Sequence, residues 1–429
     1  MKIEKLYQIV DAEHEGRTCK DLDDKACQRV PGNFLLICAS LIMTKLGDLL
    51  ASPKIVLSWL LGSAGAAPGI ISLLVPIRES GSLVPQLAIG AWVRRHPKRK
   101  GFWVIGSVIQ GMCVALMAVS LWTLSGNQAG FAVLGLLVLF SLARGMCSVS
   151  IKDVQGKTIP KGRRGRLSGL ASSVSGALTV VIGLAFFSGD EDPTLAFYTL
   201  LLALAAVLWL FAAVVFSLVE EEQGETQGGN NALKDALKNL TLLKTDAHFR
   251  AFVIARALLM GSALSAPFVL LLAQNQSASP HTFAAFLIAS SLGTSLSATI
   301  WGWLADDSSR KVMFKGGLFA ALAALAVLAV DLSQISSNIY LYAGLYLLLS
   351  IAHAGVRIGR QTYIVDMADG VKRTDYVSVS NSVIGLLLLV VGLISAGFAA
   401  LSTHAALAFL GLMGLVGSIW TYRLPEVSE

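Results

Sequence analysis

The amino-acid sequence predicts an all-α polytopic membrane protein, with twelve transmembrane helices in two six-helix pseudo-repeat bundles. Three observations predict it. Hydrophobic residues make up 55% of the 429 and charged residues only 14%, and the mean hydropathy of +0.67 lies well outside the range of soluble domains. Twelve apolar runs reach the ~20 residues a helix needs to cross a bilayer. Patterns in the first half recur in the second at a nearly constant offset.

Taken in order, the chain opens with a polar segment, 1–33, that lacks the apolar core and small-residue cleavage site of a secretory signal. It reads as a cytoplasmic tail. The first six runs fall at 34–51, 68–93, 102–124, 129–150, 167–188 and 195–219, within a first bundle at 34–219. The piece SPKIVLSWLLGSAGAA, between the first two runs, is too short to span alone. It reads as an extension of the first helix or an interfacial helix on the outer face.

A linker, 220–248, begins polar and glycine-rich (EEEQGETQGGNN) and continues as ALKDALKNLTLLK. Leu233, Leu237 and Leu240 stand there at helical spacing, which predicts an amphipathic helix on the membrane surface. The second bundle, 249–422, holds runs at 249–273, 281–305, 312–331, 338–358, 376–401 and 405–422, and a short tail, 423–429, closes the chain.

The net charge of +7 does not point to nucleic acid, because the cations are distributed between apolar runs and form no single basic face. They report orientation. Clusters such as Arg94, Arg95, Lys98, Arg99 and Lys100, or Lys157, Lys161, Arg163, Arg164 and Arg166, alternate with loops nearly free of cations, such as SGNQAG and QNQSASP. Positive loops stay inside, so both termini are expected in the cytoplasm, with the chain in the cell membrane, a bacterial inner membrane.

The repeat is one of position more than of letters. A shift of 209 lays Arg144–Leu178 over His353–Leu387 without a gap and matches Gly176 to Gly385. A shift of 212 brings Gly81 and Gly90 onto Gly293 and Gly302. Parallel repeats of this kind, joined by a long linker, describe a class of transporter.

At the end of the eighth run the chain reads GWLADDSSRK, Gly302 to Lys311. It resembles the signature loop of the major facilitator superfamily, and the run count, linker and repeat extend the resemblance over the chain. The resemblance implies that Asp306 caps a neighbouring helix and pairs with a basic residue, with Arg310 and Lys311 as the basic end of the motif. In the first half GAWVRRHPKRK keeps Gly90 but has Arg94 where the aspartate belongs, so that gate must pair differently. Drug-exporting members commonly carry a glycine-proline motif in the fifth helix. Here GLASSVSGALTVVIGLAFF has no proline, which weighs against that subclass.

Charges inside the spans are costly and are kept where they face a polar interior. At 1.5 Å per residue, Lys45 and Asp48 fall roughly 18 and 22 Å above the cytoplasmic surface, and Arg78 and Glu79 roughly 24 and 22 Å. All four share a level. Adjacent helical residues point about 100° apart, so cross-helix pairing is expected, Asp48 with Arg78 and Lys45 with Glu79.

Arg144, Arg256 and His353 join the cluster by the repeat, and Arg357, one turn beyond His353, reads as a snorkelling or gate residue. Cations outnumber carboxylates, which favours a substrate with an anionic or zwitterionic group. A purely structural network of buried pairs gives the same sequence. Asp48, Glu79 and His353 are the groups able to carry a coupling proton, with Glu79 preferred. Serines such as Ser80, Ser172, Ser173, Ser291, Ser380 and Ser382 read first as aids to close helix packing.

No phosphate-binding loop of the GxxxxGK type, no nucleophile-and-base constellation and no metal-ligand spacing occurs. The reading is a secondary transporter and no enzyme, without cofactor or metal, acting as a monomer. It is proton-coupled, works by alternating access, and has a small molecule, the proton and membrane lipids as partners. Two other readings are a broad exporter of amphiphilic compounds and a non-transporting lipid-handling or sensor protein on the same fold.

Overall fold

Within hydrocarbon every backbone N–H and C=O must be satisfied inside the protein, and a chain with no strand-type alternation does this by helices. The structure, a computed structural model, describes residues 24–187, 195–224, 226, 240–333, 338–367 and 370–427, and among them all regular structure is helical. The first half forms α1 (Asp24–Leu50), α2 (Val56–Ser63), α3 (Pro68–Ser72), α4 (Leu74–Leu83), α5 (Gln86–Arg94), α6 (Lys100–Thr123), α7 (Gly126–Thr158), α8 (Lys161–Phe187) and α9 (Leu195–Ser217). The second forms α10 (Leu242–Thr245), α11 (Ala247–Leu258), α12 (Gly261–Leu264), α13 (Ala266–Gln276), α14 (Pro280–Ser333), α15 (Ile339–Asp366), α16 (Gly370–Leu401) and α17 (Thr403–Tyr422). Among the described residues ten stretches are long and apolar enough to cross a membrane, so the chain is a multi-pass membrane protein.

The expected spans are traversed with interruptions, and prolines explain most of them. A proline cannot donate to the carbonyl four residues back. Pro53 lies between α1 and α2, Pro76 follows the α3–α4 break, Pro85 separates α4 from α5, and Pro267 follows the break before α13. The second expected span is therefore carried by three successive short helices. The eighth and ninth lie in one element, α14, whose non-helical residue Ser308 (φ −164°, ψ 101°) turns the chain.

SPKIVLSWLLGSAGAA is not interfacial. Val56 to Leu61 are all buried in α2, which packs on α9 and α13 and continues the path of α1 across the membrane. The amphipathic linker helix lies largely outside the described residues, Leu233 and Leu237 among them; Leu240 sits in a turn leading to α10.

Helices α1–α9 pack chiefly on one another and α11–α17 likewise, while α2 meets α13, α3 and α4 meet α16, and α8 meets α14. These crossing contacts are tight. A Cβ on Gly62 would stand 2.2 Å from the Gln274 amide oxygen, and one on Gly392 2.4 Å from the Pro76 ring. Gln274 Nε2 donates to the Trp59 carbonyl (3.1 Å) and to Ser63 Oγ (2.9 Å), and Trp59, Tyr198 and Phe283 cluster with ring centroids 5.1 to 6.1 Å apart. The two groups are thus tied on the side away from the chain ends, here called the far side. The opposite, terminal side carries the start of α1, the end of α9 and the end of α17.

Candidate functional site

The break at Pro53 leaves α1 and α2 as two arms of one path, with Asp48 and Lys54 on either side of it. Asp48 is the hub. Arg78 Nη2 of α4 donates to its Oδ1 at 2.7 Å, and Arg144 Nη1 of α7 donates to its Oδ2. One carboxylate therefore links two guanidinium groups across three helices, and Arg78 also lies over the Phe140 ring, 5.1 Å from its centroid, a favourable cation–π distance.

The expected Lys45–Glu79 pair does not form. Lys45 Nζ donates to the Ser168 carbonyl (3.0 Å) and to the Ser172 hydroxyl, both on α8. Glu79 follows Arg78 by one residue, and the turn of about 100° that gives Arg78 to Asp48 directs Glu79 elsewhere. It stands in the electrostatic field of Arg78, Lys54, Arg144 and Arg360 and makes no direct ion pair among the described residues.

Lys54, absent from the sequence candidates, is central. Its Nζ lies 3.2 Å from His353 Nε2 of α15, and His353 Nδ1 lies 3.0 Å from Ser262 Oγ of α12. One signal could have found it: Lys54 is a lone cation between the first two runs, on the side where the loops otherwise lack cations. Arg256 of α11 is buried and donates to Ser380 Oγ (2.7 Å) and Asn381 Oδ1 (2.9 Å) of α16, two neutral acceptors. Its Nε is buried without a partner, as is Nε of Arg360.

Arg360 is the second residue that sequence reasoning missed, because the apolar run of the tenth span ends at 358, before it. In the structure α15 runs on to Asp366, and His353, Arg357 and Arg360 occupy positions i, i+4 and i+7, one helix face. Seven cations, Lys45, Lys54, Arg78, Arg144, Arg256, Arg357 and Arg360, thus gather around two carboxylates, Asp48 and Glu79.

A cavity of about 540 Å³ opens beside them, between α1, α8, α14 and α15. Lys45 and Asp48 face it from α1 and Arg357 from α15, with hydroxyls of Ser168, Ser172, Ser173 and Ser175 on α8 and of Thr294 and Thr299 on α14. Leu49 and Ala298 are its larger apolar contributions, and among the described residues no aromatic side chain lines it. The volume is within the ~300–1,000 Å³ of small-molecule pockets. Of the serines read as packing aids, Ser172 and Ser173 line this cavity and Ser380 receives Arg256. Ser80 and Ser291 are buried, their hydroxyls unpaired. The cavity sits in the terminal-side portions of α8 and α14, the far side being closed by the Gln274 ties. A recess of about 200 Å³, lined by Arg144, Gln110 and Cys147 among others, adjoins Asp48 and Lys45. No group of three His, Cys, Asp or Glu able to hold a metal occurs among the described residues.

The loop motif is built differently from the expectation. Asp306 is exposed and makes no capping hydrogen bond among the described residues. The cap is Ser308, whose Oγ accepts from the Lys311 amide (3.2 Å) and donates to Glu426 Oε2 (2.6 Å). Arg310 Nε pairs with the same carboxylate at 3.3 Å, and Nη1 donates to the carbonyls of Tyr422 and Leu424. The physical reason is the turn: Ser308 is the extended residue before the next helix, where a side-chain oxygen reaches the N3 amide, whereas Asp306 is still inside the preceding helix. A Cβ on Gly302 would meet nothing.

In the first half Gly90 and Arg94 lie on α5, Gly90 buried. Glu221, just past α9, does the capping there. It accepts from the amides of Arg99 (2.8 Å) and Lys100 (2.7 Å) at the start of α6 and from Lys157 Nζ (2.9 Å), while Arg99 pairs with Asp153 at 2.8 Å.

The family description "Major Facilitator Superfamily" matches residues 252–429. No curated protein matches the chain in sequence. Among solved structures the fold is shared with a D-xylose–proton symporter (TM-score 0.70, 11% identity, covering 92% of this chain and 98% of that one). A peptide-bound transporter of the POT family superposes likewise (0.71, 12%, 94% and 98%), as does the nucleoside transporter NupG (0.63, 15%, 91% and 98%). At these identities the likeness is one of fold.

Proposed function

We propose that the chain belongs to the major facilitator superfamily and is a proton-coupled secondary transporter that moves a small, hydroxylated, aliphatic organic anion by alternating access. The observation that carries the reading is the cavity between the two helix groups. Lys45 faces it from one group and Arg357 from the other, close enough to repel each other electrostatically. Arg357 has no hydrogen-bond or ion-pair partner among the described residues, and an anion relieves that repulsion by bridging both. The serine and threonine walls suit hydroxyl groups. Aromatic surface, which amphiphilic cations and flat bases use for stacking, is missing from the lining, so the exporter reading loses its support.

The moving bodies are residues 34–219 and 249–422, joined by the linker 220–248, rocking about the central site. By the distribution of cations the terminal side is cytoplasmic, which makes this an inward-facing state with the outer side closed.

Thermal unfolding of the purified protein tests the reading, because a ligand of the folded state raises its melting temperature. Malate, gluconate and glycerol phosphate are compared with xylitol and tetraphenylphosphonium. Stabilisation by one of the anions, lost in Arg357→Gln, is expected; stabilisation by the lipophilic cation alone would refute it. A stabilising anion is then taken into proteoliposomes under an imposed pH gradient, where accumulation separates a transporter from a sensor or scramblase.

A further inference from the structure

Lys54, His353 and Ser262 form a chain that crosses from one helix group to the other, and with Lys54 charged the hydrogen-bond roles within it follow. An ammonium group has donors only, so His353 Nε2, 3.2 Å from Lys54 Nζ, must accept. The imidazole proton is then on Nδ1 and is donated to Ser262 Oγ at 3.0 Å. Ser262 can accept it, since its own hydroxyl hydrogen goes to the Leu259 carbonyl at 2.9 Å. The chain is complete with a neutral imidazole and has no room for a second proton.

We infer that His353 is the residue that carries the coupling proton, and that Lys54 is the latch that makes proton loading and closure of the far side mutually exclusive. A proton on Nε2 would set an imidazolium N–H against an ammonium N–H at a distance where both like charge and donor-to-donor contact are repulsive. Lys54 must leave before that proton arrives. Lys54 belongs to the α1–α2 junction, while His353 and Ser262 belong to α15 and α12, so its departure separates the two groups next to the Gln274 ties that close the far side. In the parted state far-side water reaches the imidazole and supplies the proton. When the latch reforms, Lys54 displaces that proton into the terminal-side cavity, and one proton has crossed.

Cations face the imidazole from both helix groups, and parting the groups withdraws only the one on the first. Arg357 and Arg360 act on His353 from its own helix, and Lys54 acts on it from the α1–α2 junction. Arg78 and Glu79 of α4 act on Lys54. Asp48 is held between two guanidinium groups and cannot take up a proton without stranding them, and Glu79, without a direct partner, stands among four cations as their counter-charge. His353 has a partner that can move away. The inference shares the transporter reading, but its test requires no substrate.

Hydrogen–deuterium exchange of the full-length protein in nanodiscs, corrected for intrinsic rate, reads the far side through peptides covering α2 and α13. In the wild type, exchange there is expected to rise on acidification between about pH 8 and 5, where an imidazole changes charge, by up to about tenfold per pH unit for one linked proton. His353→Gln keeps both bonds, its amide oxygen accepting from Lys54 and its NH2 donating to Ser262, yet cannot titrate. It should hold closed-level exchange at every pH. His353→Arg, a fixed cation, should show open-level exchange throughout. An unresponsive wild type, a His353→Gln protein that still follows pH, or closed-level exchange in His353→Arg each overturns the inference. A protein that shows this response and binds no anion keeps the latch and loses only the substrate assignment; one that binds the anion without the response loses only the latch.

Discussion

Asp48 and Arg357 line the same cavity from opposite helix groups, and they are partnered in opposite ways. Asp48 holds two guanidinium groups in direct contact. Among the described residues Arg357 holds nothing, and its neighbours Arg256 and Arg360 find only neutral acceptors or none. The contrast teaches that a charge with a complete set of partners is spent on the fold, whereas one left incomplete beside a cavity is available to a ligand, as the proposed function requires. On this view the first half supplies the rigid wall and the second the adjustable one.

The sharpest way to break that comparison is Asp48→Asn. An amide cannot serve two guanidinium groups, and removing one partner of a buried pair costs about 3–5 kcal/mol. The folded yield and melting temperature in detergent should fall steeply. Arg144→Gln should cost less, because Arg78 and Asp48 remain paired; equal losses in the two variants would mean that Asp48 is not the hub.

Next in size is Arg357→Gln, where the two walls should separate by type of readout. With no ion pair to lose and an exposed side chain, the melting temperature without ligand should stay nearly unchanged. Affinity for the stabilising anion should fall roughly 10- to 100-fold, the value of a charged hydrogen bond of about 1.5–3 kcal/mol. A destabilised apo protein with unaltered affinity would return Arg357 to a structural role.

What the sequence made legible follows the same division. Helical rise alone put Asp48 and Arg78 at one depth, and they meet at 2.7 Å; the repeat brought in Arg144, which joins them. Lys45 was placed at the right level but assigned the wrong partner, because depth fixes height and leaves rotation about the helix open. Lys54 and Arg360 were hidden by helix ends. Pro53 looked like the end of the first span when it only bends the path, and α15 continues eight residues past the predicted end at 358 to Asp366. The loop motif was found by its letters, yet the carboxylate that holds it, Glu426, comes from the tail, where sequence gives no hint of what the chain folds back upon.

That tail yields the smallest and most discriminating comparison. Glu221 and Glu426 each lie four residues beyond a helix end, at Ser217 and Tyr422, and each ties that end to the loop of its own half. Their settings differ. The Glu221 side chain is 0% exposed and takes two amides and a lysine, whereas that of Glu426 is 34% exposed and takes a hydroxyl and an arginine. A buried charged acceptor at a helix N-terminus is worth about 1–3 kcal/mol, and an exposed ion pair about 0–1 kcal/mol. Glu221→Gln should therefore lower the melting temperature clearly and Glu426→Gln barely, with added salt reducing only the second effect, because buried pairs are screened little. If the tail substitution proved the costlier of the two, the second half would hold its loop as rigidly as the first, and the division into a fixed and an adjustable wall would stop at the cavity.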